Sequence, residues 1–231
     1  MKSNAPVRQR PASGGYARGD QARNRIVVAA LEVFGAGGFE AASTRAIAEK
    51  ASVKLPALQY YFGGKEGLYL ACAEFIAAAL EVKLGPYVER VERMLEAGAT
   101  QEEALRALQG LLAEVADTLV AGLEPENWIM FIMREQARPT AAFDVIYVRA
   151  IGRVAETCVT LTAHVLNRSR HDPEVRIRGF ALLGQVLAFR AARSAALRML
   201  DWPAFDGHRL DTLKRALADH TAAALSLRPF E

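Results

Sequence analysis

The chain has 231 residues, more than one ordinary domain needs and barely enough for two, so the starting expectation is one medium domain with a small appendage. At 52% hydrophobic and 24% charged residues it is too apolar for a disordered chain. Charges interrupt every run long enough to span a membrane: the best candidate, Gly179 to Leu200, contains Arg190 and Arg193. Two cysteines, Cys72 and Cys158, make neither a disulfide framework nor paired metal ligands, and no apolar core follows the basic N-terminus as it would in a secretory signal. A reduced, cytoplasmic chain without membrane contact is expected.

Residues 1–19, rich in Arg, Pro, Gly and Ser, read as a disordered basic arm. From Asp20 onward Ala and Leu dominate and no alternating run suggests a strand, so the fold class is all-α. Pro86, Pro125, Pro139, Pro173 and Pro203 stand at or just before periodic segments, where the first turn of a helix tolerates them. Helices are predicted at 20–36, 44–51, 55–61, 65–83, 87–97, 101–120, 126–137, 140–168, 174–200 and 206–226. The first, capped by Asp20 and ended by Gly37 and Gly38, carries Ile26, Ala29, Ala30, Val33 and Phe34 on one stripe. The next two are too short to be stable alone and must pack on it through Ile47, Ala48, Val53 and Leu58. Two short helices joined by a three-residue turn describe a helix-turn-helix.

Charge distribution agrees. Residues 1–70 carry ten Lys/Arg against five acids and the remainder nineteen against twenty-one, so the overall +3 divides into +5 and −2. A basic small module on a near-neutral body points to an anionic partner, nucleic acid first and an anionic lipid surface second.

The run Ser43-Thr44-Arg45-Ala46-Ile47-Ala48, then Ala51-Ser52-Val53, then Tyr60 through Tyr69 (Tyr-Tyr-Phe-Gly-Gly-Lys-Glu-Gly-Leu-Tyr) resembles the TetR family of transcriptional regulators over about residues 25–70. The resemblance implies a wingless helix-turn-helix whose third helix enters the major groove. Arg134-Glu135-Gln136 with Phe143-Asp144, and Gly184-Gln185 with Phe189-Arg190 and Asp201-Trp202, is similar to the CerR-type C-terminal domain of some members. The expected layout is an arm over 1–19, a DNA-binding domain over 20–66 and a helical regulatory and dimerisation domain over 67–231.

Lys54 and Lys65 each open a helix, where a cation opposes the dipole unless a phosphate docks there. Thr44 and Arg45 open the preceding helix and can hold the same strand, and Tyr61 can offer its hydroxyl. For base readout the candidates are Gln59, then Tyr60, Ala57 and Leu55; Gln pairs bidentately with adenine, and Ala or Leu touches a thymine methyl. The commonest family pattern has Ser-Lys-Gly-Thr where this chain has Lys54-Leu55-Pro56-Ala57, so the usual phosphate-binding Lys and Thr are missing and Lys54 is the candidate substitute. Tyr60 has a second reading as a buried support residue.

A single head contacts few base pairs, so two copies are needed. Ile151, Val154, Cys158, Leu183, Leu187 and Ala191 lie on two stripes that face either a partner chain or the chain's own core; family members pair through two C-terminal helices, which assigns these residues to a homodimer interface. Trp128, Phe131, Arg134, Gln136, Phe143, Tyr147, Gln185 and Phe189 mix aromatics with polar groups as a small-molecule site does, the alternative being plain core. Neither a P-loop, a Gly-x-Ser-x-Gly nor a Gly-x-Gly-x-x-Gly occurs, and His164, His171, His208 and His220 lack metal spacing, so no enzyme activity, metal or cofactor is expected. The reading is a ligand-responsive regulator, a repressor, binding a pseudo-palindromic double-stranded DNA operator as a homodimer and released by a small-molecule effector. Its rivals are a helical ligand-binding module without operator recognition and an all-helical enzyme.

Overall fold

The computed structural model describes residues 14–121 and 125–226. They are helical almost throughout, with no strand among the described residues. The arm expected over 1–19 lies outside the described residues as far as residue 13, while 14–19 belong to the first helix. The chain divides into two compact units, residues 1–72 and 73–231.

In the first unit α1 (Gly14–Ala41) packs on α2 (Thr44–Lys50), α2 on α3 (Leu55–Phe62), and α4 (Lys65–Glu96) supplies its N-terminal turns. The expected stop at Gly37 and Gly38 becomes a break inside α1: Gly38, at φ 77° and ψ 177°, takes a conformation closed to L side chains, and the helix resumes to Ala41. Beyond it Phe39 meets Tyr69 edge to face at 5.1 Å, and Phe34 meets the same ring at 4.9 Å. Ile26, Ala30, Leu31 and Phe34 of α1, Ile47 and Ala48 of α2, Leu58 of α3 and Leu68 of α4 are buried, whereas Val33 and Val53 are half-buried. Each large buried side chain contributes about 1.5–3 kcal/mol, which is what holds helices of seven and eight residues in place.

The second unit is organised on α5 (Gln101–Leu119). A reciprocal capping box starts it: Thr100 Oγ1 accepts from the Glu103 amide, and the Glu103 carboxylate accepts from the Thr100 amide at 2.8 Å. Leu108, Leu111, Leu112 and Val115 of α5 share one apolar core with Val154, Cys158 and Leu161 of α8 (Gly152–Leu166), Leu182, Leu183 and Val186 of α9 (Pro173–Ala191), and Leu213 and Leu217 of α11 (Gly207–Ser226). Between them lie α6 (Glu126–Ala137), α7 (Ala141–Ile146), a π-helical turn at Tyr147–Ile151 and α10 (Arg193–Leu200).

Three further expected boundaries differ. The break at Pro86 does not occur: α4 runs through it, and Pro86 sits on the exposed face beside Val82 and Lys83, where a lost backbone bond costs less than in the core. The single helix expected over 140–168 contains the π-helical turn. The helix expected over 174–200 bends by 82° at Ala192, at φ −105° and ψ 34°. No local breaker marks that bend; Arg193 fixes it, donating to the Val120 carbonyl at 2.6 Å and lying 5.3 Å from the Phe205 ring centre. No single described helix is long and apolar enough to cross a membrane.

Candidate nucleic-acid interface and apolar cavity

The turn between α2 and α3 is closed by Ser52 N–H donating to Glu49 O at 3.1 Å and Val53 N–H donating to Ala48 O at 3.0 Å. It passes through Ser52 at φ 56°, a left-handed conformation that a residue other than glycine takes at a cost. Lys54 then stands in extended backbone as the N-cap of α3, with Pro56 in the first turn. The apolar side of α3 is Leu58, 2% exposed; the opposite side presents Leu55 at 48%, Gln59, and Tyr60 at 83%. That exposure settles Tyr60 as a surface residue and not a buried support. Ala57 and Tyr61 are half-buried, the Tyr61 ring edge-on to Tyr60 at 5.1 Å.

A left-handed cap at Gly63 (φ 70°) ends α3, and the Gln59 side-chain amide donates to the Gly63 carbonyl at 3.1 Å. Gly67, in the first turn of α4, lies against the end of α3: a Cβ there would stand 1.9 Å from the Phe62 carbonyl oxygen. The Gly-Gly-Lys-Glu-Gly run is therefore a packing requirement of the α3–α4 corner.

Around this face the cations divide. Arg45 forms an exposed pair with Glu49 at 3.4 Å, an interaction weak enough to be exchanged. Lys54 is exposed and makes no ion pair among the described residues. Lys65 donates to the Glu40 carbonyl at 3.3 Å and lies 4.5 Å from the Phe39 ring centre, so its charge answers the negative end of α1. Thr44, half-buried, opens α2 after Ser43. Neither lysine is spent on a carboxylate.

The second unit contains a cavity of about 140 Å³. Its walls are Leu80 and Leu84 of α4, Val115 and Leu119 of α5, Ile129, Ile132, Met133 and Gln136 of α6, Ala150 and Ile151 of the π-helical turn, Val154 of α8, and Leu183, Leu187, Arg190 and Ala191 of α9. Of the eight residues assigned to a ligand site from the sequence, Gln136 alone lines it. Phe131 is fully buried elsewhere in the core. Trp128 packs edge-on to Phe75 at 5.4 Å, and Phe143 lies against Tyr147, itself 43% exposed, at 5.7 Å. Arg134 is half-buried outside the lining. Gln185 donates to Thr221 Oγ1 at 2.8 Å and meets His220 Nδ1 at 2.5 Å, bridging α9 to α11; Phe189 is edge-on to Phe205 at 6.0 Å. On α6 the cavity is lined by 129, 132, 133 and 136, one position round from 128, 131 and 134, and α7, which carries Phe143, contributes nothing to it.

The stripe assigned to pairing is corrected as well. Val154, Cys158 and Leu183 are 6%, 0% and 4% exposed in the chain's own core and leave no surface for a partner, while Ile151, Leu187 and Ala191 border the cavity. Burial raises the Cys72 thiol well above its ordinary value and pushes Cys158 up to about 12, so both are inert thiols. Glu135, next to Arg134 in sequence, is 2% exposed and accepts from the Thr140 amide at 3.0 Å and hydroxyl at 2.8 Å, which holds the α6–α7 corner.

Arg190, a polar residue quoted from the sequence beside Phe189, lines the cavity. Its Nε is buried without a hydrogen-bond partner, and it forms no ion pair among the described residues. Burial lowers its guanidinium below the ordinary value, Arg193 lowers it further, and Glu126 opposes both.

Comparison with known proteins places this architecture. Residues 26–72 match the family model described as bacterial regulatory proteins, tetR family, and residues 102–226 match the C-terminal domain of the HTH-type transcriptional dual regulator CecR. The C-terminal type is thus CecR rather than CerR. The HTH-type transcriptional dual regulator CecR of Shigella flexneri is 32% identical over 208 residues, covering 88% of this chain and 91% of that protein. Among solved structures, Mycobacterium smegmatis AmtR has a TM-score of 0.57 at 19% identity over 96% of this chain and 91% of its own. A TetR-like transcriptional regulator from Rhodococcus sp. RHA1 has 0.53 at 22% over 88% and 93%; at such identities these two speak for the fold alone. Together with the helix-turn-helix of α2 and α3, the matches establish that the chain belongs to the TetR family of transcriptional regulators, with a CecR-type C-terminal domain.

Proposed function

We propose that the protein is a ligand-responsive repressor that binds a pseudo-palindromic operator as a homodimer and leaves it when a small molecule occupies the cavity of the second unit. The observation that carries this reading is α3: eight residues with Leu58 inward and Leu55, Gln59 and Tyr60 outward, flanked by exposed Arg45 and Lys54. A helix of that width enters a major groove about 12 Å wide. Leu55 and Ala57 meet thymine methyls, Gln59 exchanges its Gly63 bond for a base edge, and Thr44, Arg45, Lys54 and Tyr61 hold phosphates. Lys65 acts at one remove, fixing the α1 end against α4.

Pairing is assigned to the outer face of α9, where Ile177 is 68% and Phe180 62% exposed and Ala181 and Ala188 are exposed beside them, together with Ala216, His220 and Ala223 of the adjoining α11. A face of small and apolar residues on two adjacent helices suits a four-helix contact between copies. An effector in the cavity acts only through its differential affinity for the DNA-bound and released states.

Fluorescence anisotropy with the DNA upstream of the protein's own gene tests the reading. With Arg45 and Lys54 each neutralising one phosphate per subunit, log K falls against log salt with a slope of roughly −4 per dimer. A slope near zero would remove the phosphate contacts, and absence of binding would leave the ligand-binding module as the better account.

A further inference from the structure

The cavity walls are apolar except for Gln136, which is exposed, and Arg190. A guanidinium beside so much hydrocarbon is costly unless something answers its charge. Arg190 is half-buried, and no described residue forms an ion pair with it. Arg193 is committed to the Val120 carbonyl and the Phe205 ring, and Glu126, the carboxylate that acts on Arg190 through its field, makes no ion pair with it. The Arg190 Nε is wholly buried and donates to no acceptor. The volume of about 140 Å³ is the room that one aromatic ring takes in an apolar protein cavity.

We infer that the effector of this regulator is a small apolar carboxylate, its ring or short alkyl body filling the cavity and its carboxyl group accepting a forked pair of N–H bonds from Arg190. The inference rests on the cavity being the effector site and adds the chemical class of the ligand. A planar monoanion matches the guanidinium fork. A phosphate dianion would have to surrender far more hydration to walls that offer one other polar side chain.

Benzoate and its neutral isostere benzamide, titrated calorimetrically into the full-length protein and into Arg190→Met and Arg190→Lys variants, test it. The wild type should bind benzoate at least tenfold tighter than benzamide. Arg190→Met should lose that preference while still binding benzamide, and Arg190→Lys should restore part of it. Equal wild-type affinities, or a preference that survives in Arg190→Met, would overturn the assignment; so would failure of both probes to bind, which would also remove the cavity as a site. Should Arg190→Met not fold, Ile132→Trp, which fills the cavity from α6, must abolish benzoate binding for the assignment to stand. Operator anisotropy on the same samples separates the two readings: tight benzoate binding through Arg190 that leaves DNA affinity unchanged refutes ligand-induced release and keeps the carboxylate site.

Discussion

Gly179 brings the backbone of α9 against that of α8 at Val159: a Cβ on Gly179 would lie 2.9 Å from the Val159 Cα and 3.1 Å from its amide nitrogen. The obstacle is main chain and cannot rotate aside. Gly179→Ala therefore forces the helices apart along the edge of the core and should cost about 1–3 kcal/mol. Thermal unfolding checks this; an unchanged or raised midpoint would contradict so close a crossing of α8 and α9.

Ser52 offers the opposite case. Its φ of 56° is strained for an L residue and free for glycine, and its side chain is exposed. Ser52→Gly should stabilise the first unit by about 0.5–1 kcal/mol after the added flexibility of the unfolded chain is subtracted. Amide exchange at Ile47 and Leu58, both in the core of that unit, reads the change, and faster exchange in the variant would contradict it.

The division of labour on the DNA face has a signature of its own. Gln59→Ala should relax preference at one base position by about 1–3 kcal/mol, whereas Lys54→Ala should weaken every sequence alike and flatten the salt slope by about one per site. Lys65→Ala should lower DNA affinity together with the stability of the first unit, since its ammonium serves the Glu40 carbonyl. Identical profiles for Gln59→Ala and Lys54→Ala would mean that α3 does not read bases.

Acid stability depends on the start of α9. Asp172 caps the helix by accepting from the Glu174 amide at 2.9 Å and pairs with Arg168 at 2.6 Å, which together hold its carboxyl below the usual range. Glu174 is lowered likewise by Arg168 and Arg178. A depressed folded pKa stabilises the fold above the unfolded value of about 4, and that stabilisation is lost as pH falls through the folded value. Asparagine caps as well as aspartate but does not titrate. The urea midpoint of Asp172→Asn should thus fall less steeply than the wild type's below about pH 4; parallel curves would exclude the carboxylate as a contributor.

What could be read in advance was whatever depends on local chemistry. Pro173 at the start of α9 and the short pair α2 and α3 announce themselves through turn chemistry and length, and the run resembling the TetR family marked the helix-turn-helix. What escaped depends on which neighbour a helix meets. α6 has an apolar series at 129, 132 and 133 and another at 128 and 131, and only tertiary packing chooses between them. The bend at Ala192 lies in a stretch of good helix formers and is imposed by Arg193 reaching Val120 across the core. Cys158 and Leu183 looked equally suited to a partner chain or to their own, and α5 claims them.

The π-helical turn at Tyr147–Ile151 has a final consequence. Such a turn is what an α-helix does with one surplus residue, and here it carries Ala150 and Ile151 into the cavity wall. Deleting a single codon in that turn would restore α-helical winding and swing one wall about 100° around its axis while every other lining side chain kept its identity. Chain length at this point therefore sets the shape of one cavity wall, which a single insertion or deletion would redraw.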